Sequence, residues 1–183
     1  VSFSIITASP KLLNSKIESF LSHHELETQY LFTRDIINES DKLDYKVKAI
    51  EKILSENEGE LILMGDDTQK DVDVFQFIKN RYPERILAVY IHSIMNKELP
   101  KGFHKFFTAM EIARHEVRAN RMNLTEAYAV MNAIQIAPRN SLVIPEFAHC
   151  PKKIEEYGKI VLTHMAHSLE QTYYPLINYC YNR

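Results

Sequence analysis

The chain has 183 residues, 45% hydrophobic and 25% charged, the size and composition of a globular domain able to bury one sizeable core. A formal charge of -2 and an isoelectric point near 6.5 exclude a global pull towards nucleic acid, so no nucleic-acid partner is expected and any anionic partner must meet a local patch. No apolar run approaches the roughly 20 residues of a transmembrane helix and no signal peptide is readable; the two cysteines, Cys150 and Cys180, make no disulfide framework, which points to a reducing, cytoplasmic setting with peripheral membrane association left open.

In chain order, Phe3 to Thr7 is a short β-branched apolar run closed by Ala8-Ser9-Pro10, after which Leu12, Leu13, Ile17, Phe20 and Leu21 recur at helical spacing. The stretch Tyr30 to Phe32, followed by Val47, Ile50, Ile53 and Leu54, repeats the strand-to-helix pattern, with the helix stopping near Gly59. Glu60 to Met64 reads as a buried strand running into Gly65-Asp66-Asp67. Phe75, Ile78, Lys79 and Tyr82 are helically spaced, and Ile86 to Ile91 is again a β-branched strand. This alternation predicts an α/β fold, a Rossmann-like parallel sheet with helices on both faces. Ligands of such a sheet sit beyond the carboxyl ends of the strands, where Thr7 and Asp66 lie. Gly65 is expected to make a tight turn there.

Residues 1–100 are read as this α/β core and 101–183 as a mainly helical part packing on the same domain. In the second part Phe103, Phe106, Phe107, Met110, Ala113 and Val117 trace one helical stripe, and Leu124 to Ile136 is helical. Ser141 to Ile144 is expected as a short strand, and Ile154 to Leu169 as a final long helix before an aromatic tail.

Asp66 and Asp71 stand at opposite ends of a short loop leaving a strand, where two carboxylates can converge on one hard cation. Mg²⁺ suits that arrangement, because it keeps waters and takes further oxygen ligands from a substrate phosphate. A solvated acidic loop is the competing reading from these residues alone. Asp67 is expected to face solvent.

The run Leu61-Ile62-Leu63-Met64-Gly65-Asp66-Asp67-Thr68-Gln69-Lys70-Asp71, with Phe75 and the strand Ile86 to Ile91 after it, resembles the phosphatidate phosphatase domain of the actin-patch protein family, a member of the haloacid dehalogenase superfamily. That family carries a Gly-Asp-Ser-Gly-Gln-x-Asp loop as the fourth of four motifs. Its second motif, Ser-Asn-Ser-Pro, is similar to Thr7-Ala8-Ser9-Pro10, and its third, a lysine at a helix start, is similar to Lys46. Tyr45 stands where the family has His, and Asp67 and Thr68 replace Ser and Gly. Leu31-Phe32-Thr33-Arg34-Asp35 resembles the family's segment between the second and third motifs, so the resemblance covers about residues 3 to 94.

The resemblance implies roles. Thr7 and Lys46 would act in catalysis and, with Ser9, bind the substrate phosphate; Asp66 and Asp71 would hold Mg²⁺. The substrate would be a phosphate ester, closest to phosphatidate or a related lipid phosphate. A phosphoryl group in flight spreads negative charge over its oxygens, which a hydroxyl, an ammonium and a cation together offset. The family's first motif, Asp-x-Asp-x-Thr after an apolar strand, supplies the nucleophile that forms an aspartyl-phosphate. It does not occur in this sequence. Asp71-Val72-Asp73 has the spacing but follows Gln69-Lys70 rather than an apolar strand. The chain is expected to be trimmed or cleaved, with the missing segment upstream of Val1 or in an associated N-terminal piece. The alternative is a catalytically inactive phosphate- and metal-binding module.

Other features have plainer readings. Arg114, Arg118 and Arg121 share a helix face that is either solvated or meets a phosphate headgroup. His164 and His167 have metal-ligand spacing without a third ligand and read as a surface pair. Cys150 is expected as a packed loop thiol, and the rings from Tyr173 to Tyr181 as closing a core, with a lipid interface as the alternative.

Overall fold

The structure is a computed structural model that describes residues 2–35, 41–158 and 165–183. The chain is α/β and divides into two compact units, residues 1–61 with 73–87, and residues 62–72 with 88–183.

In the first unit, strand β1 (Ser4–Pro10) leads through a 3₁₀ turn (Lys11–Leu13) into helix α1 (Asn14–His23) and back to β2 (Tyr30–Arg34). β1 and β2 pair in parallel, Ser4 opposite Tyr30 through Thr7 opposite Thr33, and the register then shifts before Pro10 meets Arg34. Parallel strands require such a crossover, and a helix provides it without leaving backbone groups unpaired. Helix α2 (Lys42–Glu56) starts at Asp41, whose carboxylate accepts the backbone N–H groups of Leu43 and Asp44. It buries Tyr45, Ala49, Ile50, Ile53 and Leu54 and packs on β1. Helix α3 (Asp71–Arg81) buries Val74, Phe75 and Ile78. Arg85 fastens the turn after α2 by donating to the carbonyls of Leu54, Asn57 and Gly59.

In the second unit, β3 (Leu61–Asp66), β4 (Ile86–His92) and β5 (His104–Phe106) form a sheet in that order, with β5 parallel to β4. Val89, Tyr90 and Ile91 are completely or almost completely buried, as a β-branched and aromatic run in a central strand should be. Helices α4 (Ala109–Arg118), α5 (Leu124–Gln135) and α6 (Ala166–Tyr181) enclose a core of Met110, Ala127, Met131, Ile144, Tyr157, Leu169, Tyr173 and Leu176. Among the described residues, no helix is long and apolar enough to cross a membrane.

The expected α/β class and parallel pairing hold, and the family's Rossmann-like arrangement is consistent with them. The described strands form two sheets rather than one, however, and β1 and β3 each have a single hydrogen-bonded neighbour.

Several local expectations are corrected. The helical stripe from Phe103 is interrupted, because His104–Phe106 pairs with β4 and Ser93 N–H donates to the Phe106 carbonyl. The helix begins only after Thr108, which forms a capping box with Glu111. Ser141 to Ile144 is no strand. Asn140–Leu142 is a 3₁₀ turn, and Ile144 after it is buried in the helical core. Of the helix expected over Ile154–Leu169, Ile154–Tyr157 is a 3₁₀ turn, residues 159–164 lie outside the described residues, and Ala166–Leu169 begin a helix that runs on to Tyr181. The aromatic tail is therefore helical: Tyr173 faces the core while Tyr174 and Tyr181 face out. His164 of the histidine pair lies outside the described residues.

The basic stripe is not a free headgroup site either. Arg114 is buried and donates to the Tyr157 carbonyl, and Arg121 is bonded through two nitrogens to Glu116.

Cys150 and Cys180 are joined by a disulfide, contrary to the packed-thiol expectation. The inner face of α6 carries Cys180 against the loop that Arg183 holds by donating to the Pro145 and Ala148 carbonyls. The cysteines therefore no longer support a reducing compartment. Because the bridge closes a sequence separation of 30 residues, Cys180→Ser is expected to lower unfolding free energy by about 3 kcal/mol. Denaturant melts of oxidised, reduced and mutant protein check this; identical midpoints would show that the bridge is not formed or contributes nothing.

Candidate active site

The acidic loop grows from the end of β3. Gly65 lies within the strand and has no positive φ, so the expected glycine turn is absent. Side chains bend the chain instead. Asp66 Oδ1 accepts the Thr68 N–H at 2.7 Å and also the Thr68 hydroxyl, closing a turn over residues 66–68. Asp71 opens α3, and its Oδ2 accepts the Asp66 N–H at 3.2 Å. The two aspartates named as metal ligands are thus linked by a bond from the backbone of one to the side chain of the other. Both are half-buried, and Asp66 Oδ2 receives no hydrogen bond among the described residues.

Asp67 does not face solvent: it is 1% exposed. Its Oδ1 accepts the N–H groups of Ile94 (2.8 Å) and Met95 (2.7 Å), and its Oδ2 accepts that of Lys97 (3.0 Å). Asn96, at φ 54°, takes the left-handed conformation that asparagine tolerates, and so helps the loop wrap around the carboxylate. Burial opposes ionisation of Asp67. The three N–H donors and the Lys97 charge outweigh it, and the pKa falls below the ordinary 3.8. The Asp67 N–H in turn donates to the His92 carbonyl at 3.3 Å. This carboxylate pins the β3 loop to the segment leaving β4.

His92 is a neighbour that the sequence reading missed. It ends β4, stacks on Phe106 with ring centroids 5.0 Å apart, and feels the charges of Asp66 and Asp67. Burial depresses its pKa more than those carboxylates raise it. The signal was present as a polar ring directly after a β-branched run, at a strand's carboxyl end.

In the first unit, Thr7 sits where β1 loses register with β2. Its hydroxyl donates to Ser9 Oγ at 2.9 Å, and the Ser9 N–H returns a bond to Thr7 Oγ1 at 3.1 Å. Two hydroxyls sharing one mutual hydrogen bond retain one donor hydrogen for a ligand, whichever way the rotors turn. Lys46 is half-buried in the second turn of α2, the helix that packs on β1.

Whether this donor set fits Mg²⁺ follows from its chemistry. Among the described residues, no group of three or more His, Cys, Asp or Glu is placed to hold a metal ion. That argues against a closed structural cage. A pair of carboxylates that leaves the remaining positions to water and substrate phosphate is what Mg²⁺ accepts. Asp71-Val72-Asp73 forms the first turn of α3 and does not directly follow a strand, unlike the Asp-x-Asp-x-Thr pattern of the family that the sequence resembles.

Among known proteins, the family model Phosphatidate phosphatase APP1, catalytic domain, matches residues 1–93. No curated protein and no solved structure matches the chain.

The Asp67 latch makes a pH-dependent prediction. In Asp67→Asn an amide NH₂ can face the Lys97 N–H, donor against donor, and the charge is lost, so unfolding free energy should fall by about 2–3 kcal/mol at neutral pH. Because the folded pKa is depressed, the wild-type advantage is fully present above the ordinary 3.8 and is lost as pH falls through the lower folded value. Urea melts of both proteins from pH 7 to pH 3 should show their midpoints converging in acid. A gap that stayed constant would contradict the latch.

Proposed function

Since the chain belongs to the phosphatidate phosphatase APP1 catalytic-domain family, we propose that it forms the cation- and phosphate-binding part of a Mg²⁺-dependent phosphatase of the haloacid dehalogenase type, acting on phosphatidate or a related lipid phosphate. The observation that supports this reading is the bond from the Asp66 N–H to Asp71 Oδ2, which links the two aspartates where β3 ends.

The division of labour follows from charge. Asp66 and Asp71 hold Mg²⁺, which when bound offsets phosphate charge as a Lewis acid. Thr7 and Ser9 give a hydroxyl hydrogen and the Lys46 ammonium a compact positive charge to the phosphate oxygens. The nucleophile is an aspartate of an Asp-x-Asp-x-Thr segment, which these 183 residues do not contain. Its carboxylate oxygen attacks phosphorus and the ester P–O bond breaks. The second aspartate protonates the leaving alcohol, and water then hydrolyses the aspartyl-phosphate.

The absent motif also favours a second reading, a phosphate- and cation-binding module without turnover. Both readings require the cradle to bind. Calorimetric titration of Mg²⁺ into the chain with inorganic phosphate present is expected to show a saturable site, weakened roughly tenfold or more by Asp66→Asn or Asp71→Asn. Lys46→Met is expected to weaken phosphate rather than Mg²⁺. Mg²⁺ binding indifferent to both carboxylate substitutions would remove the proposed metal site.

A further inference from the structure

We propose that the outer face of the Lys11–Leu13 turn and α1, formed by Leu12, Lys16 and Phe20, is a seat for an anionic lipid bilayer. The inference rests on the reading of Thr7 and Ser9 as phosphate ligands.

Leu12 is 79% exposed and Phe20 58%. They are not the helix's core-facing residues: Leu13 and Ile17 are half-buried and Leu21 is buried. Leu12, in the 3₁₀ turn that leads into α1, and Lys16 and Phe20 in the helix follow at four-residue spacing and share one exposed side, about 100° around from the line of Leu13, Ile17 and Leu21. Glu18, two residues on from Lys16 and about 200° around the helix, points away from that line. Two large apolar side chains in water with a lysine between them are the composition of an interfacial helix. The rings and branched chains enter the headgroup boundary, and the lysine stem lies along them with its ammonium among anionic groups.

The position of the face selects a bilayer over other occupants. Ser9 and Leu12 are three residues apart, so at most about 10 Å of chain separates the phosphate-binding turn from the exposed leucine. A phosphatidate phosphate lies at the membrane surface while its acyl chains stay in the hydrocarbon. Whatever stands beside the bound phosphate is therefore pressed against lipid. The salt bridge from Lys11 to Asp35, at 3.6 Å, ties the turn to the end of β2, so Leu12 is presented from a fixed position. Lys16, on the proposed face itself, supplies charge of the sign an anionic surface attracts.

Flotation with vesicles of phosphatidylcholine alone, with added phosphatidylserine, and with added phosphatidate tests the surface directly. The wild-type chain should float with both anionic vesicles. Leu12→Glu and Phe20→Glu should each lower the partition roughly tenfold on both, and Lys16→Glu roughly fivefold. Far-UV circular dichroism should be unchanged, because all three side chains are exposed. Thr7→Val combined with Ser9→Ala should keep the partition onto phosphatidylserine and lose the preference for phosphatidate. If that preference survives while Leu12→Glu abolishes binding, the bilayer seat stands and the phosphate reading of Thr7 and Ser9 falls. The seat itself is overturned if the wild-type chain floats with neither anionic vesicle, or if Leu12→Glu and Phe20→Glu bind as the wild type does. It is also overturned if sedimentation shows Phe20→Glu turning a dimer into a monomer, which would assign the face to a second copy of the chain.

Discussion

A carboxylate taken out of water costs several kcal/mol unless its lone pairs are met, and Asp67 meets them with three backbone N–H groups from one short loop. The rest of the acidic site hangs on that constraint. With Asp67 anchored inward, its neighbour Asp66 must turn its carboxylate to the other side of the chain. The next residue but one, Thr68, then closes the turn on it and delivers Asp71 to the first turn of α3. Removing the anchor leaves donors without acceptors in the loop after β4 and leaves Asp66 held only by its bonds to Thr68 and Asp71. Three aspartates in six residues thus divide into one structural carboxylate and two aspartates linked to each other.

The first unit solves a different problem in the same manner. A strand that carries a hydroxyl to a ligand must stop pairing at the right residue, and β1 does so where its register with β2 breaks after Thr7. Mutual bonds between Thr7 and Ser9 hold the hydroxyl pair in place without consuming both hydrogens. The capped α2 carries Lys46 on a helix whose opposite stripe is buried. In both units, the candidate ligand groups lie at strand ends or in the first two turns of a helix. There backbone N–H and C=O groups leave their ladders and become available to side chains.

Much of this was legible in the sequence, because it depends on local rules. Short apolar strands at β1, β3 and β4 and the α2 stripe follow from residue patterns over short windows, and the carboxylates at the end of β3 from the sequence directly after one of them. The family resemblance, read from the spacing of Thr7, Lys46, Asp66 and Asp71, is matched by the family model over residues 1–93. What escaped is non-local. Nothing near Asp67 announces that residues 94–97 will wrap around it, so a third aspartate in a loop was assigned to solvent. β5 was taken for helix because Phe103 to Val117 has helical spacing, whereas pairing with β4 claims His104–Phe106 and the capping box of Thr108 and Glu111 starts the helix later. The disulfide was overlooked because a separation of 30 residues between two cysteines carries no signature of its own. Arg114 was assigned to a surface stripe. Its burial depends on the Tyr157 carbonyl, 43 residues away in sequence.

In the function proposed above, this chain supplies the cation and phosphate cradle of a lipid phosphatase and an Asp-x-Asp-x-Thr segment the attack on phosphorus. That function is tested most directly by phosphate release from phosphatidate vesicles, measured on a protein that contains both parts, with Mg²⁺ and with chelator. The predicted result is turnover with Mg²⁺, loss of it with chelator, and a fall of about 100-fold or more in kcat for Asp66→Asn. Turnover that is indifferent to Mg²⁺ and to Asp66→Asn, or no turnover at all, would contradict it.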